Sequence, residues 1–471
     1  MKKIYNLDRI FNPRSVAVVG ASRQEGSVGY GILKNLVAGS TFPAKHLTPF
    51  PGKIYAVNPN ASEILGIKCY PSLKDISDKI DLAIIAVPAK IVPTVVKDCV
   101  DKKVGGLIII SAGFAEVKEG RALQEDVVRI LKGTEIPMIG PNCLGVIRPS
   151  AKLNASFAPS MPLKGNVAFV SQSGALVDSI IDWAIEDHYG FSIVISYGNK
   201  AIIDSADLLD WLKNDVSSKA IALYIESISN GQKFMKIAKS VSKIKPIVAL
   251  KGGVTSEGTK AASSHTGALS TDSRLYEAAF KQCGIIQTDS IEDLLDIAEA
   301  LANQPPCKEN GIAIITNGGG AGVLCADKCE QLGIKLSELS ERAIKILEAS
   351  GKMHPAYSRR NPLDIVGDAL PERYEIAIRT LIQEPDIYGI IVIQTLQTMT
   401  NPIEDAKIVI NIHKNNPDKP IICVYMGGKY SKESRYLLEQ NGIPDYNDLT
   451  KAARAMHALI KRGQLLKNRL A

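Results

Sequence analysis

The sequence has no CxxC pair and no cysteine framework: its eight cysteines are scattered through 471 residues. That excludes a disulfide-stapled secreted scaffold and a zinc ribbon, and favours a reducing cytosol. The closest pair, Cys325 and Cys329, stands i and i+4 on a predicted helix. It lacks the other ligands of a zinc site, so both read as small core residues and no metal is expected. No apolar run reaches the roughly 18 to 20 residues of a membrane span. The opening "MKKIYNLDRIFNPRSVAVVG" is no signal peptide, because Asp8, Arg9 and Arg14 interrupt any hydrophobic region. A cytoplasmic protein without membrane contact is expected. Basic clusters are missing too. The net charge is +7, but 56 lysines and arginines are interspersed with 49 acids, which excludes nucleic acid and suits small anionic ligands. Histidine is scarce, at six.

What is present is one phrase repeated: a β-branched apolar run, a small-residue turn, then an amphipathic stretch. It begins with "SVAVVGAS", "KIYAVNP", "DLAIIAVPA", "GLIIISAGF" and "IPMIGPNCLG". It continues with "NVAFVSQSGAL", "FSIVISYGNK", "AIALYIESI" and "PIVALKGG". After a "NQPPCKENG" break come "IAIITNGGGAGVLCAD", "YGIIVIQTLQ" and "PIICVYMGG". Nearly continuous apolar strands alternating with helices predict parallel sheets covered on both faces. At roughly 150 residues per domain the length suggests three α/β domains. The punctuation places them at 1–150, 151–304 and 308–471. Binding sites are expected in the loops at the carboxyl ends of the strands.

The first turn, "VAVVGASRQEGSVG", invites a dinucleotide reading that fails. Gly20, Gly26 and Gly29 are spaced G-x5-G-x2-G, and Ser22 stands where the NAD fingerprint has its second glycine. The second strand ends at Asn58, where an NAD site carries an acid for the ribose. An acid there would repel the 3'-phosphate of coenzyme A, so both departures favour CoA.

In order, "VGASRQEGSVG", "VNP", "AVPA", "SAGFAE" and "GPNCLG" resemble the CoA-binding domain of the succinyl-CoA synthetase superfamily, most closely the alpha subunits of ADP-forming acetyl-CoA synthetases. The resemblance implies a Rossmann-like CoA domain followed by two flavodoxin-like, parallel-sheet domains. It implies that Gly20, Ala21, Ser22, Ser27 and Val28 line the CoA phosphates, with Lys53 pairing a phosphate and Asn58 nearby. Val87, Pro88, Ser111, Gly113 and Phe114 would follow the pantetheine arm, and Asn142 and Cys143 would sit near the thiol. Cys143 reads as a contact rather than a nucleophile, since no histidine lies near it in sequence.

His265 lies in "AASSHTGALS", where Ser263, Ser264, Thr266 and Gly267 leave room for a tetrahedral anion. Imidazole near its ordinary pKa is largely neutral and nucleophilic at cytosolic pH. The segment resembles the family's phosphohistidine loop, which implies that His265 takes a phosphoryl group from an acyl phosphate and passes it to ADP. Glu226, ending the "LYIES" strand, matches the glutamate that orients this histidine. Ser171, Gln172, Ser173 and Gly174 stand at a predicted helix start suited to an anion, and resemble the family's "power helix". "GGVTSEGTK" is no P-loop, because Thr259 occupies the lysine position. In the third segment Asn317, Gly318, Gly319 and Gly320 resemble a second power helix. His354 and Asp364 receive no role.

No ATP-grasp nucleotide domain is legible. The resemblance therefore implies that ADP/ATP and Mg2+ bind mainly on an ATP-grasp beta subunit, in an α2β2 heterotetramer. The expected activity is reversible conversion of acyl-CoA, ADP and phosphate to carboxylic acid, ATP and CoA. A regulatory CoA-binding protein without turnover is the alternative. It would be marked by a lost phosphohistidine or a fused acyltransferase, and neither is seen. The identity of the acyl group and the choice between ADP and GDP stay open.

Overall fold

The computed structural model describes residues 5–42, 47–266 and 272–468, with side chains described only to 261 in the second stretch. The chain divides into two compact units, 1–287 and 288–471.

The first unit holds two seven-stranded sheets. The first comprises β1 (Ser15–Val19), β2 (Lys53–Val57), β3 (Glu63–Ile64), β4 (Ile67–Tyr70), β5 (Leu82–Ile85), β6 (Gly106–Ile109) and β7 (Met138–Ile139), in the order β3-β4-β2-β1-β5-β6-β7. All its pairings are parallel except β3 with β4. Every residue of β1, β5 and β6 is buried, as strands covered on both faces require. The strand order reverses between β1 and β5, where Val16 lies opposite Leu82. Such a switch point splays two successive loops apart and opens a crevice.

The second sheet comprises β8 (Gly145–Arg148), β9 (Leu153–Ser156), β10 (Leu163–Ser171), β11 (Gly190–Ser196), β12 (Ala220–Ile225), β13 (Ile247–Lys251) and β14 (Ile286–Thr288). Their order is β14-β13-β12-β10-β11-β8-β9. The pairings among β10, β11, β12 and β13 are parallel, while β8 runs antiparallel to β9 and β11. The chain thus passes from one sheet to the other between Ile139 and Gly145. Here the central strand is β10, and the loop after it sits at the switch.

The second unit carries a four-stranded parallel sheet of β15 (Ala313–Thr316), β16 (Leu363–Asp364), β17 (Ile390–Thr395) and β18 (Ile421–Met426), ordered β16-β15-β17-β18. The Ile291–Asn303 helix precedes the Pro-rich break but packs in this unit, where Arg454 pairs with Asp293 at 2.6 Å. The parallel α/β architecture expected from the apolar runs is observed in both units. Among the described residues no helix is long and apolar enough to cross a membrane. All eight cysteines are free and buried, Cys325 and Cys329 among them, and no group of metal-ligating residues is present among the described residues.

Candidate functional site

The loop after β1 is pressed against the loop after β5. A Cβ on Gly20, at φ +92°, would stand 2.3 Å from the Ala86 carbonyl oxygen, and one on Gly29 would stand 1.9 Å from the Gly20 oxygen. These glycines let the Val28–Ala38 helix begin directly against the turn. Ser27 caps it, accepting from the Tyr30 amide at 3.4 Å and donating to Gln24 O at 2.7 Å. Ser22 Oγ accepts from the Gln24 amide at 3.0 Å. Asn58 Nδ2 donates to the buried Ala21's carbonyl at 2.8 Å, so Asn58 braces the loop.

A cavity of about 550 Å³ opens beside this turn. Val28, Val87, Pro88, Ser111, Asn142 and Cys143 line it, as do Gln172, Ser173 and Gly174 from the loop after β10. Residues expected at CoA and residues expected at phosphate therefore share one wall-to-wall space within the first unit. Asn142, at φ +57°, donates through its backbone amide to Ser111 O at 3.0 Å. Cys143 is buried, its thiol donates to Ile109 O at 3.3 Å, and burial pushes its pKa up, which removes it as a nucleophile.

Of the other expected CoA residues, Gly20, Ala21, Ser22, Ser27 and Asn58 belong to the neighbouring turn and Gly113 to the loop after β6, outside the lining, while two, Lys53 and Phe114, are placed elsewhere. Lys53 begins β2 opposite Ser15, about 16 Å down the sheet from Gly20 at roughly 3.3 Å per residue. It stands at the amino-terminal edge, pairing with Asp78 at 2.7 Å. The Phe114 ring is fully buried in the core of the first sheet. Gly113 and Phe114 instead give their amides to Glu116 Oε1, at 2.5 and 3.0 Å. The other Glu116 oxygen accepts from Asn199 Nδ2 at 2.6 Å. Burial opposes the Glu116 charge, but the donors of Asn199, Phe114 and Gly113 outweigh it and hold the carboxyl below its ordinary range.

At the end of β10, Ser171 Oγ donates to Ser173 O at 2.9 Å and accepts from the Ser173 amide at 3.1 Å. Ser173 caps the Gly174–Glu186 helix through Leu176 N. Gln172 does not reach outward. Its Oε1 accepts from the Glu226 and Ser227 amides at 2.6 and 2.9 Å, and its Nε2 donates to Ser227 O at 2.7 Å. It therefore sets the turn that carries Glu226.

Around Glu226 stand groups that sequence reading missed. Tyr224 hydrogen-bonds its carboxylate, and burial together with that charge pushes the phenol up to about 12. Lys200, at φ +50°, donates to Ser227 O and Oγ at 2.8 and 2.5 Å. Burial pulls Lys200 down to about 8, against the opposing charges of Glu226 and Asp204. Lys251 donates to Gly252 O and is lowered by burial, again opposed by Glu226. The available signal was a lysine at a strand's carboxyl end, in "SYGNK" and in "ALKGG". His265 belongs to the last turn of the Ser256–Thr266 helix, which starts five residues after β13. Its side chain lies outside the described residues, as do Gly267 and the side chains of Ser263, Ser264 and Thr266.

The second unit repeats the β10 turn. Thr316 Oγ1 donates to Gly318 O and accepts from the Gly318 amide, both at 3.0 Å. Asn317 plays the part of Gln172, accepting from Thr395 N at 2.7 Å and donating to Thr395 O at 2.9 Å. The Gly319–Gln331 helix follows, and a Cβ at Gly320 would meet nothing within 4 Å. His354 Nδ1 accepts from Ala356 N and Asp364 Oδ1 from Val366 N, so both shape local turns.

Three family models match the chain: a CoA binding domain over 14–149, a succinyl-CoA ligase like flavodoxin domain over 164–301 and a ligase-CoA domain over 312–462. The sequence is 41% identical to acetate–CoA ligase (ADP-forming) I of Archaeoglobus fulgidus, over 96% of this chain and 63% of that protein. It is 41% identical to the alpha subunit of acetate–CoA ligase (ADP-forming) II of Pyrococcus furiosus, over 97% of this chain and 98% of that one. The fold superposes on dinucleotide forming acetyl-coenzyme A synthetase 1 of Ca. Korarchaeum cryptofilum, solved with phosphate and ADP. That match has a TM-score of 0.91 and 36% identity, covering 99% of both chains.

Proposed function

The chain belongs to the family of ADP-forming acetate–CoA ligases and their alpha subunits, and on that footing we propose that it is the alpha subunit of an ADP-forming acyl-CoA synthetase. It interconverts acyl-CoA, ADP and phosphate with carboxylic acid, ATP and CoA. The observation that carries this reading is the single cavity walled by both Val87, Pro88, Ser111, Asn142 and Cys143 and by Gln172, Ser173 and Gly174. A thioester and a phosphate placed there are within reach of each other.

Residues 1–150 bind CoA, 151–304 carry the phosphohistidine, and 308–471 supply a second phosphate loop. The CoA phosphates lie at Gly20, Ala21, Ser22, Ser27 and Val28, where a helix start offers free amides. The pantetheine arm runs past Val87, Pro88, Ser111 and the Gly113 backbone to Asn142 and Cys143. Phosphate is held at the start of the Gly174–Glu186 helix, where the dipole favours an anion, while the Gln172 and Ser173 amides shape the turn by donating to Tyr224 O and Ser171 Oγ. One of its oxygens attacks the thioester carbon. The carbon–oxygen bond forms, the carbon–sulfur bond breaks, and the proton carried by the phosphate ends on sulfur, leaving acyl phosphate and CoA.

A neutral nitrogen of His265 then attacks phosphorus, and the carboxylate leaves. Glu226 holds the proton on the other ring nitrogen and stabilises the developing positive charge. Gln172 fixes the turn on which Glu226 sits. A terminal oxygen of ADP finally attacks the phosphohistidine, and the N–P bond breaks. ADP and Mg2+ sit on an ATP-grasp beta subunit in an α2β2 assembly, and the Asn317–Gly320 turn holds phosphate during that half-reaction through the start of the Gly319–Gln331 helix. Eight free thiols suit a reducing cytoplasm.

Labelled phosphate with acetyl-CoA is expected to give an acid-labile, base-stable phosphoprotein, absent in His265→Ala and at least about tenfold weaker in Glu226→Gln. Labelling that survives His265→Ala would falsify the mechanism.

A further inference from the structure

We infer that Asp178 selects the acyl group, so that this cavity takes acyl chains carrying a hydrogen-bond donor, a hydroxyl or an ammonium. The inference rests on the reading that the cavity binds CoA thioesters.

Asp178 follows Gly174 by four residues on the Gly174–Glu186 helix, so the two share a helix face about one 5.4 Å turn apart. The helix start is where the phosphate sits, and the thioester carbon must lie against it. A chain extending from that carbon along the same face arrives at Asp178 one turn later. Apolar side chains complete the enclosure: Leu144, with Val28 and Phe157, which are 41% and 37% exposed. Among the described residues that line the cavity, Asp178 alone carries a charged side chain. Its Oδ1 is shut from solvent with no hydrogen-bond partner. Burial pushes the carboxyl up to about 6, so it is still mostly ionised at neutral pH.

A desolvated carboxylate oxygen without a donor is costly to the folded chain. A plain acetyl or alkyl group would leave it so and would meet a charge where it needs apolar contact. A hydroxyl or ammonium on the acyl chain would supply the missing donor. Discrimination is strongest when the rejected ligand leaves a buried polar group unpaired.

Calorimetric titration of the full chain with CoA, butyryl-CoA, 3- and 4-hydroxybutyryl-CoA and 4-aminobutyryl-CoA tests this. At least one donor-bearing thioester is expected to bind about tenfold or more tighter than butyryl-CoA, the range of a hydrogen bond to a charged group. Asp178→Leu should reverse that order, and Asp178→Ala repeats the test with a smaller side chain should the leucine variant misfold. Asp178→Asn separates the donors, since an amide oxygen still accepts from a hydroxyl but no longer attracts an ammonium. Equal binding of all thioesters by the natural chain, or a preference unchanged in both Asp178→Leu and Asp178→Ala, overturns the inference while leaving the CoA reading intact. Failure to bind even CoA would sink that reading, and this one with it.

Discussion

Asp178 shows how a single residue type can be plain in a sequence while its meaning is not. An aspartate in the second turn of a helix reads as solvated, yet the fold turns it into a cavity wall and leaves its Oδ1 buried without a partner. Its folded value of about 6 lies above the ordinary 3.8, so between those limits the folded chain binds more protons than the unfolded one. The stability contributed by this group is therefore greatest below that window and falls as pH rises through it. Asp178→Asn, which cannot ionise, is expected to melt above the natural chain at pH 7, with the gap closing toward pH 4. Thermal denaturation at both pH values checks this, and identical melting at pH 7 would contradict the burial cost. Gln172 and Asn317 teach the same lesson from the other side. Both look like anion donors in sequence, but their amides are spent on the ends of neighbouring strands.

Among the elements, the turn and helix after β1 depend on a close approach that only two glycines permit. Gly29→Ala puts a Cβ 1.9 Å from the Gly20 oxygen, a backbone atom that cannot swing aside. The helix must back away, at an expected cost of about 1–3 kcal/mol or more, with weakened CoA binding. Gly31, two residues along the same helix, is the control: nothing lies within 4 Å of its added Cβ. Gly31→Ala should stabilise by about 0.5–1 kcal/mol through helix propensity alone. Urea unfolding midpoints distinguish the two, and equal effects would refute the packing argument. The loops after β10 and β15 are built alike, each with a hydroxyl closing the turn and an amide side chain tying it to the neighbouring strand. That shared construction exceeds what "SQSG" and "TNGGG" have in common as text.

For the whole molecule, the cavity exists because the two sheets of the first unit are locked together. Asn35, on the Val28–Ala38 helix, donates to the carbonyls of Ser156 and Ala158 at 2.9 and 2.8 Å. Asn199 and Ala201, beyond β11, donate to the Pro141 and Gly140 carbonyls at 2.9 and 3.1 Å. All proposed CoA contacts, Glu226 and Asp178 fall within residues 1–287. A fragment of those residues is therefore expected to bind CoA within about threefold of the full chain, since its core and lining are its own. Loss of CoA binding in a folded fragment, measured by calorimetry with circular dichroism as the folding control, would show that the second unit contributes.

By itself, the sequence determined whatever follows from local pattern. Unbroken apolar runs made β1, β5 and β6 two-sided parallel strands, small-residue turns marked their carboxyl ends, and Ser22 and Asn58 turned the first loop from NAD toward CoA. Those signals are legible because strand burial, turn chemistry and helix capping depend on residues close in the chain. Tertiary structure alone decided which loops meet and which polar atoms are already taken. It brought the loop after β10 to the cavity, left Lys53 at the far edge of its sheet, buried Phe114 in the core, and gathered Lys200, Lys251 and Tyr224 around Glu226. Those outcomes depend on strand order and long-range packing, which no spacing in the sequence encodes.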